Sequence, residues 1–99
     1  MKISIVLALL CGLSANVQAQ DAAAGKTKYA TCAACHGAQG QGGVGAKLQG
    51  QKAEAIVQKL TAYKNKEQRG AQSALMWAQA GQLSAADIAN IAAYTATLK

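Results

Sequence analysis

Proline and phenylalanine are absent from this 99-residue chain, and tyrosine and tryptophan together number four. So few aromatic side chains exclude a β-sandwich built on aromatic strands, and the length excludes a multidomain enzyme. Acidic residues are also scarce: four Asp and Glu face ten Lys and Arg, a formal charge of +6. Long apolar runs are missing too. The most apolar stretch, Ile3 to Leu10, falls far short of the roughly 20 residues a helix needs to cross a bilayer. The hydrophobic fraction of 52% excludes a disordered tail, but 24 of those residues are alanine, so the core is thin.

The apolar run follows Met1-Lys2 and leads to Val17-Gln18-Ala19, a small-residue pattern suited to signal peptidase. Residues 1–19 therefore read as a secretory signal, and Leu10 disfavours lipid attachment at Cys11. The remaining domain, residues 20–99, is basic and expected in the periplasm. It holds only fifteen Val, Ile, Leu, Met, Trp or Tyr residues, and cores of this size contribute no more than about 3–5 kcal/mol on their own. A disulfide framework is the usual supplement in an exported protein, yet only Cys32 and Cys35 remain, and a bridge between them closes too small a loop to stabilise much. A cofactor fits better.

Helical periodicity appears three times, and strand-like alternation of useful length does not appear. A first helix is expected behind the N-cap Asp21, running to about Cys35 and stopped by Gly37. A second, from Gln51 to about Lys64, carries Ala53, Ile56, Val57, Leu60 and Tyr63 on one stripe. A third begins at Ser84, where Ser84 and Asp87 form a capping-box pattern, and places Ile88, Ile91, Thr95 and Leu98 on one face. The fold class is all-α. Residues 37–50 hold six of the ten glycines, a segment that either stays mobile or lies closely against something flat. Residues 65–83 read as a long connection, of the kind that carries function when ordered.

Cys32-Ala33-Ala34-Cys35-His36 matches the CxxCH attachment signature for c-type haem. Thiols at i and i+3 of a helical turn share a side and can add to the two vinyl groups of one porphyrin edge, and the next residue, His36, can bind iron axially. Three other readings compete. A redox CxxC pair wants a βαβ unit, a zinc site lacks a fourth ligand at usual spacing, and a chance match leaves the chain's one histidine unexplained. A thioether is a suitable sixth ligand, and Met76 is the one methionine left after processing, although methionine also serves simply to plug core gaps. Trp77 either lines the same pocket or fills core volume.

Other patterns carry less. Gly40 to Gly45 matches GxGxxG by letter, but without a preceding strand it is noise. Lys64, Lys66 and Arg69 read as a solvated basic face, and no nucleic-acid module is visible. The positive charge suits an acidic protein partner or a membrane surface, without stable membrane insertion.

With these residues in view, the sequence resembles the class I monohaem c-type cytochromes, especially the short bacterial periplasmic kind. Gly25, Tyr29, Cys32, Cys35, His36 and Gly37 match the family's first helix and attachment site; Leu48, Gly50, Gln51, Leu60, Tyr63 and Lys64 its loop and middle helix; Met76 its ligand loop. Leu83-Ser84, Asp87-Ile88 and Ala93-Tyr94 match its last helix. The resemblance implies a cytochrome c fold, three main helices wrapped around one haem c. In it Cys32 and Cys35 form thioethers, His36 and Met76 ligate iron, Gly25 lets the first and last helices cross, and Tyr29 packs near Tyr94. It implies a non-enzymatic electron carrier between a reductase donor and an oxidase or reductase acceptor, with Lys26, Lys28, Lys47 and Lys52 available to meet acidic docking surfaces. The alternative is a haem c subunit of a periplasmic dehydrogenase or oxidase complex. Two departures stand out: Ala46 replaces the proline whose carbonyl, in the family, receives the proximal histidine's ring N–H, so the loop loses the fixed φ of proline, and Leu75 and Trp77 flank Met76 where relatives often carry proline or a second methionine.

Overall fold

The computed structural model describes residues 21–99, and the expected secretory signal at 1–19 lies outside the described residues. The described residues form five helices, α1 (Ala22–Tyr29), α2 (Ala33–His36), α3 (Ala53–Lys64), α4 (Ser73–Ala80) and α5 (Ala85–Thr95), and no strand.

Asp21 caps α1 as its side chain dictates, Oδ1 accepting from the amides of Ala23 (2.9 Å) and Ala24 (3.3 Å). The helix does not run on to Cys35. It ends at Tyr29, and a tight turn passes through Ala30 to Cys32, closed by the Cys32 amide on the Tyr29 carbonyl at 2.8 Å. The Thr31 hydroxyl donates to the Lys28 carbonyl at 3.4 Å, the local side-chain competition that shortens helices. Beyond the turn, α2 is a single turn of helix, stopped by Gly37 at φ +90°.

Packing of α1 against α5 organises the bundle. At Gly25 the two backbones approach so closely that a Cβ would sit 1.9 Å from the Asn90 carbonyl oxygen. The clasp is reinforced by the Asp21 amide donating to Asn90 Oδ1 (2.7 Å), by the Lys28–Asp87 ion pair (3.6 Å), and by tilted Tyr29 and Tyr94 rings with centroids 5.4 Å apart. On α5 the capping box is complete, Ser84 Oγ accepting from the Asp87 amide and Asp87 Oδ2 from the Ser84 amide, both at 3.0 Å. Its expected stripe is buried, but the helix stops at Thr95, so Ile88, Ile91 and Thr95 lie on α5 while Leu98 is buried from the turn beyond it.

The expected connection 65–83 is not a loop throughout, because α4 occupies its middle. Ser73-Ala-Leu-Met-Trp-Ala-Gln-Ala80 is made of good helix formers, but its N-cap Gln72 makes no side-chain capping bond, so the start leaves little trace in the sequence. Instead Ser73, buried, accepts the Arg69 amide at 2.7 Å, and the Trp77 indole N–H donates to the Glu67 carbonyl at 2.8 Å. Lys64, expected on a solvated face, reaches across from the end of α3 and donates to the carbonyls of Gly81 (3.4 Å) and Leu83. These bonds fix α4 against α3 and thereby place Met76.

Candidate functional site

One cavity of about 430 Å³ opens between α2, the glycine loop, α3, α4 and α5, within the size range of small-molecule and cofactor sites. Its wall includes Cys32, Cys35, His36 and Met76 together with Tyr29, Leu48, Ile56, Leu60, Tyr63 and Ile91. Residues separated by 40 positions in sequence thus meet at one apolar space. Trp77 is not among the lining residues; its indole holds the 65–72 segment instead.

The geometry of the attachment turn follows from its backbone. Cys32 has helical φ and ψ, and the His36 amide bonds the Cys32 carbonyl at 2.9 Å, so the chain from Cys32 to His36 makes one turn that brings both cysteines to the cavity wall. Cys32 and Cys35 are free thiols. Burial pushes the Cys32 thiol above its ordinary pKa, with the Thr31 hydroxyl opposing and Cys35 adding to the rise, so it is held as a thiol at neutral pH. That is the reverse of the low thiol pKa that redox CxxC pairs depend on. The βαβ setting of such a pair is missing as well, and no group of three or more His, Cys, Asp or Glu side chains converges as a metal site among the described residues.

His36 is held from two directions. Its Nδ1 lies 2.7 Å from the Ala46 carbonyl oxygen, and since a carbonyl only accepts, Nδ1 carries the proton and Nε2 keeps its lone pair. The carbonyl expected from the family's proline is therefore supplied by alanine. Beside it, a Cβ at Gly45 would fall 2.7 Å from His36 Cε1, so the glycine loop lies flat against the imidazole. The loop is tied in place by the amides of Gly42 on the His36 carbonyl and Gly45 on the Cys35 carbonyl, each at 2.8 Å, and by the Leu48 amide on the Gly40 carbonyl at 2.8 Å. Of the glycines in this segment, Gly45 is the one that packs against the flat imidazole.

Tyr29 joins the clasp to the site. Its ring lines the cavity and its hydroxyl donates to the Gly37 carbonyl at 2.6 Å, and burial raises its pKa, with Cys32 and Tyr94 contributing. The wall also contains residues that belong to no site motif in the sequence: Val44 and Gly45 from the loop, Lys59 from α3 and Arg69 from the following segment. Lys59 was legible in principle, since it lies three residues after Ile56 and four before Tyr63 and so shares their helix face.

Comparison with known proteins identifies the family. The family model for cytochrome c matches residues 22–99. Cytochrome c-554(548) of Halomonas halodenitrificans is 46% identical over 78 residues, covering 77% of this chain and 94% of that protein. Cytochrome c-554(547) of Halothiobacillus neapolitanus is 46% identical over 91 residues, covering 82% of this chain and 100% of that protein. Cytochrome c-553 of Nitratidesulfovibrio vulgaris is 36% identical over 78 residues, 76% of each chain. The free thiols, the oriented imidazole and the apolar cavity suit a covalently attached porphyrin. The chain belongs to the cytochrome c family, the haem c electron carriers.

Proposed function

We propose that the chain is a periplasmic single-electron carrier in which Cys32 and Cys35 would form the two thioethers and His36 and Met76 would ligate the haem iron. The observation that carries this reading is the convergence of these four side chains on one cavity. The bound haem supplies one-electron exchange between ferrous and ferric iron; the polypeptide supplies everything that tunes and guards it. Ala46 keeps the Nδ1 proton on His36, which leaves Nε2 as the donor nitrogen and strengthens its basicity. Met76 is presented from α4, whose register is fixed by Ser73 and Trp77. Ile56, Leu60 and Ile91 exclude water from the interior, a condition that tunes haem potentials.

The periplasmic assignment rests on the leader-like residues 1–19. No helix among the described residues is long and apolar enough to cross a membrane. Lys26, Lys47 and Lys52 are exposed and available to acidic surfaces on a reductase donor and an oxidase or reductase acceptor. Lys28 is engaged by Asp87 and contributes less.

The test is optical spectroscopy of the matured holoprotein before and after Met76→Ala. The expected result is retained porphyrin, a lost thioether-to-iron charge-transfer band, and new reactivity of the ferrous form toward carbon monoxide. An unchanged spectrum removes Met76 from the iron.

A further inference from the structure

Met76 sits in the stretch 65–83 that separates α3 from α5, and its helix, α4, brings few means of its own to hold a place. It has eight residues, no side-chain cap at Gln72, no acid in its first turn and no base in its last. A helix that short, with ends so poorly provided, is marginal without outside support. Two of its supports are local. Ser73 accepts the Arg69 amide and the Trp77 indole donates to the Glu67 carbonyl, both partners lying in the segment that leads directly into the helix. Segment and helix can therefore shift together without breaking either bond. Lys64 is different in kind. It is the last residue of α3, and its ammonium donates to the Gly81 carbonyl (3.4 Å) and to the Leu83 carbonyl, 17 and 19 residues further on. Gly81 is the C-cap of α4, so the cation that this helix lacks at its own negative end arrives from its neighbour. One side chain thereby joins the two ends of the stretch that carries Met76 and closes it as a loop.

We propose that Lys64 is a positioning residue for Met76: by buckling the loop 65–83 it sets how readily an outside ligand displaces the thioether. The proposal rests on the electron-carrier reading, in which Met76 ligates iron, and adds a residue that lies neither in the attachment motif nor on the cavity wall. An incoming ligand takes the place of Met76 only if α4 moves away, and that movement draws Gly81 and Leu83 from the Lys64 ammonium. Breaking these charge-assisted bonds adds to the cost of every displacement, so removing the ammonium favours the displaced state. A cation elsewhere on the surface has no such link to the loop.

The experiment is titration of the ferric holoprotein with imidazole at neutral pH, followed by loss of the thioether-to-iron band, for wild type and for Lys64→Gln, Lys64→Met, Lys64→Arg, Lys99→Gln and Asn90→Ala. Lys64→Gln and Lys64→Met are expected to bind imidazole about twofold to fivefold more tightly, the size of one exposed cation at a helix C-terminus. Lys64→Arg, which restores a cationic donor, is expected to stay near wild type. So is Lys99→Gln, which makes the same change in net charge at the exposed end of the chain. Asn90→Ala separates positioning from stability, because it removes the tie to the Asp21 amide in the α1–α5 clasp, and it is expected to leave imidazole affinity unchanged. Neutral variants at 64 that match Lys99→Gln, a Lys64→Arg protein as open to imidazole as Lys64→Gln, or an equal gain in Asn90→Ala would each overturn the proposal. The wild-type spectrum keeps two failures apart. Absence of the thioether band removes Met76 from the iron and the proposal with it, whereas a band present in wild type and equally resistant to imidazole in Lys64→Gln removes the proposal alone.

Discussion

His36 owes its orientation to one carbonyl and one missing side chain. The Ala46 carbonyl fixes the proton on Nδ1, and Gly45 leaves room for the ring to lie against the loop. The first was legible in the sequence once alanine stood in the proline's place, because every residue brings a carbonyl. The second was hidden among six glycines of one loop, where composition cannot say which glycine touches what. Lys66 is the opposite case, a residue where glycine would serve better. It closes α3 at φ +63°, its amide on the Tyr63 carbonyl (2.9 Å) and the Glu67 amide on the Ala62 carbonyl (3.0 Å), the bonding of a helix end that normally takes glycine. Lys66→Gly relieves a left-handed conformation that costs an L-residue about 1–2 kcal/mol, partly offset by the greater freedom of glycine in the unfolded chain. Denaturant titration of the holoprotein is expected to show a gain of about 0.5–1 kcal/mol.

A helix is legible in the sequence where it has either a capping signal or a clear apolar stripe: α3, whose N-cap Lys52 makes no capping bond, appears at Ala53–Lys64 on the strength of its stripe, and α4, which has neither signal, does not stand out. The last helix announced itself through Ser84, Asp87 and its apolar stripe, and α5 appears with that cap and that stripe. The helix carrying Met76 was passed over because Gln72 gives no capping bond; its start is fixed by the tertiary contact of Ser73 with the Arg69 amide. The first helix stops six residues short of the expected Cys35, where the Thr31 hydroxyl bonds the Lys28 carbonyl and the Cys32 amide closes a turn on Tyr29, a local competition that a helical apolar pattern does not reveal. The cap of α5 also makes a statement about acid. The Ser84 amide, then the Ser84 hydroxyl and Lys28, hold the Asp87 carboxyl below its ordinary range, with desolvation opposing. A carboxyl depressed in the folded state contributes stability that is complete above its unfolded pKa of about 3.9 and fades as pH falls through the lower folded value. Asp87→Asn is therefore expected to lose stability at neutral pH and to show a shallower decline than wild type below about pH 4, read from thermal midpoints across pH. Equal slopes in the two proteins would contradict the role of the carboxylate.

At the scale of the whole molecule, the described residues form a small basic bundle with a sparse core: among them the buried hydrophobic residues are Tyr29, three isoleucines in Ile56, Ile88 and Ile91, Leu98 and three alanines. The α1–α5 clasp joins the two ends of the domain, and α3, α4 and the glycine loop complete a wall around an apolar space. Such an arrangement makes physical sense as a shell completed by its prosthetic group, since an open apolar cavity in a domain of this size forfeits contacts that the polypeptide cannot replace. Covalent attachment is the claim on which the rest depends, and the intact mass of the protein under denaturing conditions, after maturation with haem-attachment machinery, tests it most directly. The account predicts a chain heavier by one haem, with that mass lost or made labile to extraction when Cys32 and Cys35 are both replaced by serine; a folded, functional wild-type chain of unmodified mass would contradict it.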